Sequence, residues 1–254
     1  MKQHVIPAAL LWAVLTAISE GAAYFDRFPV VGSTQAEDFD WIFQFLMYLG
    51  IPVLTFVISV VAYCFLRFGS RQRPAEDGPP IMGRGTAPRV WIAITGSLTL
   101  FVMIFPGLTG LAQLQGDRTG YGWGDPNAQV VIKATGFRWQ WAFDYPAYGV
   151  QVNIAKGKEL VLPVDTNVKF ELNSTDVIHS LWIPAFRMRI DAIPGRQTFF
   201  TVKPTMLGSS EENPDFRIQC SMLCGLDHST MKFPVRVVPQ EEFLKWIETQ
   251  KAAK

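Results

Sequence analysis

Twelve consecutive residues in the C-terminal part of the chain hold a concentration of metal-binding side chains. Cys220, Cys224, His228 and Met231 follow one another with the spacing C-x3-C-x3-H-x2-M, and a second imidazole, His179, lies upstream. Thiolate, imidazole and thioether are soft ligands, which favour copper over calcium, magnesium or manganese. One cysteine with histidine and a weak methionine would suit a single blue copper. Two cysteines instead permit two bridging thiolates, through which two copper ions would share one electron.

The two cysteines are also open to two simpler interpretations. In an oxidising compartment Cys220 and Cys224 would form a disulfide and leave Cys64 free. A structural zinc ion held by two cysteines and two histidines also fits the ligand types. The disulfide makes the spacing of His228 and Met231 a coincidence. Zinc leaves Met231 and the aromatic stretch at 137–145 unexplained.

The motif resembles the CuA centre of cytochrome c oxidase subunit II, and three flanking stretches agree with that family. Residues 179–184 (HSLWIP) are similar to its HSF-x-x-P, and residues 189–196 (RIDAIPGR) to its K-x-D-A-x-P-G-R. Residues 137–145 (FRWQWAFDY) resemble its W-Y-W-S-Y-E-Y stretch. The resemblance covers nearly the whole chain and implies a divergent bacterial form of this subunit, with a cupredoxin-like Greek-key domain.

The resemblance also implies a set of copper ligands. Two thiolates bridge the two copper ions of a binuclear CuA centre, each histidine binds one copper, and the remaining two groups are weak ligands. The implied ligands are His179, Cys220, the backbone carbonyl of Met222, Cys224, His228 and Met231.

Further residues are implied to contact redox partners. Trp139 corresponds to the point where electrons enter from cytochrome c, and Asp144 to an acidic docking residue. Arg189 and Asp191 match positions that face heme in the catalytic subunit I, the partner in which oxygen is reduced. The chain itself carries no heme by this resemblance, and subunit III is a further implied partner. The alternative, without a role in electron transfer, is that Trp139 is a core residue and that the three charged residues are ordinary surface groups.

Two departures from the family pattern bear on function. The glutamate expected shortly before Trp91 is absent, because Pro88, Arg89 and Val90 precede that tryptophan. Met222 replaces the glutamate between the two cysteines, and a soft thioether does not substitute in an oxygen-lined magnesium site. The family's magnesium site is therefore doubtful. The two departures favour one alternative, the CuA subunit of a nitric oxide reductase of the same superfamily. A copper carrier or storage protein is a second alternative, from a different class.

The composition indicates a membrane protein rather than a nucleic-acid binder. The chain has 254 residues, 49% of them hydrophobic, a mean hydropathy of +0.16 and a net charge of only +1. Long apolar runs cover residues 5–25, 41–66 and 90–115, and the last two carry no charge. Each is long enough to cross the hydrocarbon of a bilayer. The first is either a retained span or a signal peptide.

The distribution of charge predicts how the chain is oriented. The 67–89 loop holds five arginines against two acidic residues, whereas the 26–40 loop holds four acidic residues against one arginine. By the positive-inside rule the 67–89 loop is cytoplasmic. We therefore expect the copper domain on the periplasmic, outer face of a bacterial inner membrane.

The rest of the chain predicts a β-sandwich or barrel, so the whole is an α+β membrane protein. After a glycine-rich linker, short runs rich in β-branched and aromatic residues alternate with turn signals. The predicted strands are 129–135, 137–145, 149–155, 159–164, 167–172, 197–203, 215–220 and 232–238. The predicted segments are a helix or signal peptide at 1–25, a transmembrane helical hairpin at 26–116, the cupredoxin domain at 117–240 and a helix at 241–254.

Overall fold

A computed structural model describes residues 2–25, 28–69, 83, 85–114, 121–123, 127–153 and 159–252. The chain divides into two compact units. The helical unit comprises Met1–Arg27 and Trp41–Thr109, and the β unit comprises Phe28–Asp40 and Gly110–Lys254.

Long apolar helices make up the helical unit. They are α1 (Lys2–Ala23), α2 (Thr34–Phe68) and α3 (Thr86–Val102), and α3 continues through a π-helical segment, Met103–Leu108, into α4 (Thr109–Leu114). The stretches His4–Ala23, Thr34–Phe68 and Pro88–Leu111 are each long and apolar enough to cross a membrane. The prediction of apolar membrane helices before a β domain is therefore confirmed. Most of the arginine-rich 67–89 segment lies outside the described residues.

Polar side chains join α1 to α2 within the helical unit. The His4 imidazole lies 3.0 Å from the Tyr63 hydroxyl. The hydroxyls of Thr16 and Thr55 are 2.7 Å apart, a contact that satisfies polar groups in an apolar setting. Whether residues 1–25 are retained or removed as a signal peptide stays a prediction.

Two six-stranded layers form the β unit. In the first sheet the strand order is β1-β9-β6-β2-β3-β4, and in the second it is β10-β12-β11-β7-β8, with β5 parallel to β12. The strands are β1 (Tyr121–Trp123), β2 (Val130–Phe137), β3 (Gln140–Tyr145), β4 (Val150–Asn153), β5 (Leu160–Pro163), β6 (Val168–Ser174), β7 (His179–Trp182), β8 (Arg189–Ala192), β9 (Thr198–Val202), β10 (Gly208–Ser209), β11 (Arg217–Cys220) and β12 (Lys232–Val238).

The core lies between the two sheets and follows from the alternation along each strand. Every second residue of β2 and β3 is buried, as expected for strands with one face on a core. The rings of Phe143 and Phe233, from opposite sheets, are 5.0 Å apart. Tyr145 donates its hydroxyl to the Val161 carbonyl at 2.9 Å, and α5 (Gln240–Ala252) packs Phe243 against the Tyr145 ring.

The structure corrects several predicted strand limits. The stretch 137–145 is not one strand, because Phe137 ends β2, residues 138–139 form a turn and β3 begins at Gln140. The predicted glycine-rich linker contains β1, which pairs in parallel with β9. Strands β7, β8 and β10 were not predicted, and each is two to four residues long. The terminal helix begins at Gln240, one residue before the predicted start.

A buried arginine, Arg187, connects the loop that follows β7 to the start of α2 and to the segment before it, all inside the β unit. The Arg187 side chain is 6% exposed and pairs with both carboxylate oxygens of Asp40 at 2.7 Å. It also donates to the carbonyls of Pro29, Val30 and Pro184. Arg187 adopts the left-handed conformation, with φ of 56°, which is costly for a residue other than glycine. The five hydrogen bonds offset that cost.

Replacing Arg187 by alanine should destabilise the β unit by about 3 kcal/mol, because the Asp40 carboxylate stays buried without its partner. Denaturant unfolding of the purified full chain in detergent, followed by tryptophan fluorescence, measures this. Arg217→Ala serves as the control, because that half-buried side chain donates a hydrogen bond to the nearby Gln219 side chain and holds no buried carboxylate. A loss no larger than that of the control would contradict the expectation.

Candidate metal centre

Two adjacent strands and one loop bring the predicted ligands together. His179 begins β7 and Cys220 ends β11, and these strands pair with Cys220 opposite Leu181. The chain then makes a loop that returns to β12. The backbone N–H of Cys220 donates to the Met231 carbonyl at 3.0 Å, which holds the two ends of this loop together. The fold thus places the upstream histidine beside the cysteine loop.

The donor atoms form a continuous cluster. Nδ1 of His179 lies 4.0 Å from Sγ of Cys220, and the two cysteine sulfurs are 3.8 Å apart. Sγ of Cys224 lies 3.4 Å from Nδ1 of His228 and 3.8 Å from Sδ of Met231. Cys220 therefore lies next to His179, and Cys224 lies next to His228 and Met231.

The backbone of Met222 completes the predicted set. Its carbonyl accepts a hydrogen bond from the Cys220 thiol at 3.2 Å. His179, both cysteines and Met231 are buried, whereas His228 is half-buried. All six predicted ligand groups thus meet at one place, which is shielded from water except near His228.

The two thiols are close but not bonded. Their separation of 3.8 Å is well beyond the S–S bond length of about 2.05 Å, and both cysteines are free. Burial, together with the charge and hydrogen bond of Cys220, raises the pKa of the Cys224 thiol to about 11. The Cys224 thiol is therefore protonated when no metal is bound, and a metal ion must displace that proton in order to bind.

The donor set fits copper. Metal–sulfur and metal–nitrogen bonds of about 2.3 Å and 2.1 Å span more than the separation within either Cys–His pair, so one ion can reach both atoms of a pair. Four side chains would complete a tetrahedral zinc site, and the Met231 thioether is a fifth that zinc does not need. A soft thioether beside thiolates and imidazoles is instead typical of copper.

Asp176 orients the His179 ring. Its Oδ1 lies 2.9 Å from Nε2 of His179, and its other oxygen accepts the backbone N–H of Arg138 at 2.7 Å. Burial acts to raise the pKa of Asp176, but hydrogen bonds from His179, Arg138 and Val177 outweigh it and hold the pKa well below its usual range. A carboxylate accepts, so Nε2 carries the proton and Nδ1 is presented to the thiols.

Two glycines let other groups approach the cluster. A Cβ at Gly136 would lie 3.0 Å from Cδ2 of His179, so β2 can pass the ring only without a side chain. A Cβ at Gly225, where φ is +126°, would lie 3.2 Å from the Trp139 indole. Trp139 therefore rests on the ligand loop, next to Cys224.

The sequence motifs did not reveal Asp176, Gly136 or Gly225 as site residues. The only available signal for Asp176 was its place three residues before His179. The glycines gave no signal, because their role depends on which strands and loops become neighbours.

The predicted partner-docking residues lie on both sheets. Asp144 is half-buried on the outer face of β3, opposite Lys133 of β2 in the strand register. Arg189 is exposed on β8 and donates to the Ser221 carbonyl at 3.2 Å, beside the first cysteine. Asp191 follows two residues later on the same strand and is half-buried. Within the described part of the chain, Arg189 and Asp191 form no ion pair with each other.

Comparisons with known proteins agree with this site. The family model for the periplasmic domain of cytochrome c oxidase subunit II matches residues 149–238. A cytochrome c oxidase subunit 2 of Synechocystis sp. is 28% identical, over 86% of this chain and 74% of that relative. One of Alkalihalophilus pseudofirmus is 31% identical, over 84% of this chain and 59% of the relative. The solved periplasmic domain of subunit II of Bradyrhizobium japonicum cytochrome oxidase is 37% identical, with a TM-score of 0.45, over 50% of this chain and 96% of that one.

Fold and site define a membrane-anchored protein with an extracytoplasmic, cupredoxin-like domain that fits a copper site. Within that class, the chain belongs to the cytochrome c oxidase subunit II family. The predictions of family and fold class are confirmed. The role of each named residue is not tested by these comparisons.

Replacing Gly136 by alanine should weaken copper binding at least about tenfold, because the added methyl displaces the His179 ring from its place against β2. Competition with a copper chelator measures the affinity of the purified full chain, and circular dichroism reports its fold. The neighbouring change Thr135→Ala is the control. Equal copper affinity in both variants would show that copper binding does not need the close approach of β2 to the His179 ring.

Proposed function

We propose that this chain is the electron-accepting subunit of a heme-copper terminal oxidase and that it binds a binuclear CuA centre. The observation that carries the proposal is the pair of unbonded thiols at 3.8 Å, each with its own imidazole nitrogen within 4.0 Å. A mononuclear site needs only one such Cys–His pair. Two pairs whose sulfurs lie side by side suit two copper ions. Membership of the subunit II family supports the same conclusion.

In this proposal the six ligand groups have distinct roles. The Cys220 and Cys224 thiolates and the His179 and His228 imidazoles would hold the copper ions, and the Met231 thioether and the Met222 carbonyl would be weaker ligands. A binuclear copper centre held there would supply one-electron transfer with little structural change on reduction. The chain supports this chemistry by burying the sulfurs and by fixing His179 through Asp176.

Trp139 is the proposed point of electron transfer from cytochrome c. Its indole is half-buried at the β2–β3 turn and rests against Gly225, the residue after Cys224. The buried Nε1 has no hydrogen-bond partner among the residues that the structure describes. An aromatic ring that touches the surface at one edge and the ligand loop at the other provides a short path into the cluster.

The remaining assignments concern the setting of the complex. We infer that the catalytic subunit I, which holds the heme, is the partner to which electrons pass, with subunit III as a further component. The copper domain faces the periplasm from a bacterial inner membrane. The division at residues 26, 117 and 241, and the docking roles of Asp144, Arg189 and Asp191, belong to this proposal.

Met222 makes the family's magnesium site doubtful in this proposal as well. Its backbone carbonyl contacts Cys220, a contribution that any residue can make. Its thioether side chain does not supply the oxygen that magnesium prefers. The copper centre is thus retained where the magnesium site is not.

The full chain loaded with copper should contain two copper ions and show a purple mixed-valence spectrum. The expectation rests on two Cys–His pairs, so Cys220→Ser should abolish the spectrum or convert it to that of a mononuclear site. Metal analysis and electron paramagnetic resonance test this, with Cys64→Ser as the matched control outside the cluster. One copper per chain with a blue spectrum would sink the binuclear proposal.

Trp139→Ala should slow reduction by cytochrome c at least about tenfold. Without the indole, electrons must travel through empty space or solvent between the donor and the ligand loop. Copper content and spectrum should stay normal, since Trp139 donates no ligand. Stopped-flow reduction of the copper-loaded full chain measures the rate, and Trp246→Ala, on the distant helix α5, is the control. An unchanged rate would return Trp139 to an ordinary packing role.

A further inference from the structure

Arg189 connects two segments that carry proposed metal ligands. Its Nε donates to the Ser180 hydroxyl at 3.3 Å, and its Nη2 donates to the Ser221 carbonyl at 3.2 Å. Ser180 directly follows His179, and Ser221 directly follows Cys220. One guanidinium on β8 therefore contacts the neighbours of a histidine and a cysteine that lie far apart in the sequence.

The two serines are also bonded to each other through the backbone. The Ser221 N–H donates to the Ser180 carbonyl at 3.0 Å. This bond extends the pairing of β11 with β7 by one residue beyond Cys220, where β11 ends. The Arg189 guanidinium makes a second connection between the same two residues, at the point where the ligand loop leaves the sheet.

Arg189 makes these contacts from the face of the sheet opposite to the ligands. Successive side chains of a strand alternate between faces, so Ser180 and Trp182 lie on one face of β7 and His179 lies on the other. Arg189 is opposite Trp182 in the strand register, and paired residues share a face. The arginine therefore holds the loop from outside and is not itself a metal ligand.

The first part of the ligand loop has few buried side chains. Between residues 221 and 227 only Cys224 is buried, and four of the seven residues are exposed. A segment with few buried contacts opens locally at low cost in free energy. The hydrogen bonds at Ser221 therefore contribute much of what fixes the start of the loop.

Arginine is well suited to this connection. Its N–H donors lie in a rigid plane, so two acceptors on different segments are held in a fixed relation to each other. Within the part of the chain that the structure describes, the Arg189 guanidinium forms no ion pair, so no carboxylate competes with the two serines. The side chain is exposed, so water competes for its donors, and we expect a moderate effect on the loop.

We propose that Arg189 is a positioning residue for the copper centre. By joining Ser180 to Ser221, it holds the start of the ligand loop against β7 and so keeps Cys220 and the Met222 carbonyl in place. The inference deepens the proposed function and rests on it, since it takes the cysteine loop as the copper site. It is separate from the docking role proposed for Arg189, which needs only the positive charge.

Arg189→Lys tests the two roles separately, because lysine keeps the charge but lacks the planar set of donors. In a Cys64→Ser background, iodoacetamide should alkylate the loop cysteines of the metal-free full chain at least about fivefold faster in this variant. The reason is that opening of the loop exposes two thiols that are otherwise buried. Arg217→Lys is the control, since that side chain on β11 bonds to Gln219 and not to the ligand loop. Equal alkylation rates in the two variants would overturn the inference.

A second measurement follows the copper centre itself. Copper-loaded Arg189→Lys should lose copper to a chelator at least about fivefold faster than Arg217→Lys and should show altered copper hyperfine splitting in electron paramagnetic resonance. A purely structural role would leave the spectrum of the loaded centre unchanged. Identical spectra and identical rates of copper loss in the two variants would also contradict the proposal.

Ser180→Ala shows whether the arginine acts through the serine. This variant has already lost one of the two acceptors, so Arg189→Lys in the same chain should speed alkylation by less than about twofold. An undiminished fivefold effect would place the action of Arg189 elsewhere and overturn the proposed connection.

The metal-free measurement separates failure of this inference from failure of the proposed function. Alkylation needs no copper, so equal rates together with a purple binuclear spectrum in the unmodified chain would remove only the role of Arg189. One copper per chain with a blue spectrum would remove the proposed function and, with it, the assignment of Arg189 to that centre, whatever the alkylation rates.

Discussion

Two buried thiols held 3.8 Å apart without a bond are the constraint on which the rest of the site depends. Their sulfurs are near enough to oxidise or to share a metal, and burial keeps the Cys224 thiol protonated until a metal replaces its proton. The loop that carries them is held at its ends by the bond from Cys220 to the Met231 carbonyl. Sheet pairing then sets the distance to His179.

The surroundings of His179 show how the fold specifies one ligand. A missing side chain at Gly136 admits the ring, the Trp141 ring packs edge-on against it, and Asp176 fixes its tautomer. The same carboxylate binds the backbone just before Trp139. One half-buried acid, Asp176, thus links the orientation of a proposed ligand to the turn that carries the proposed electron path.

Much of this arrangement was predictable from sequence, and the remainder depends on tertiary contacts. The spacing of the cysteines and their partners indicated the cluster, and hydrophobic alternation located eight strands. Strands β7 and β8 were missed because neither alternates between buried and exposed residues: the first three residues of β7 are all buried, and only the last residue of β8 is. Gly136 and the ion pair of Arg187 with Asp40 have no local pattern, since each acts on a residue far away in sequence. Asp176 belongs to no recognised motif, although it lies only three residues before His179.

The departures from the family pattern follow a physical rule. A backbone carbonyl is present whatever the side chain, so Met222 can replace an acid without removing a weak ligand from the cluster. Gly136 cannot be replaced in the same way, because a side chain at this position would push against the His179 ring. The placement of His179 therefore depends on Gly136. Surface charge is the least constrained, because an acid paired with a neighbouring base costs the fold little.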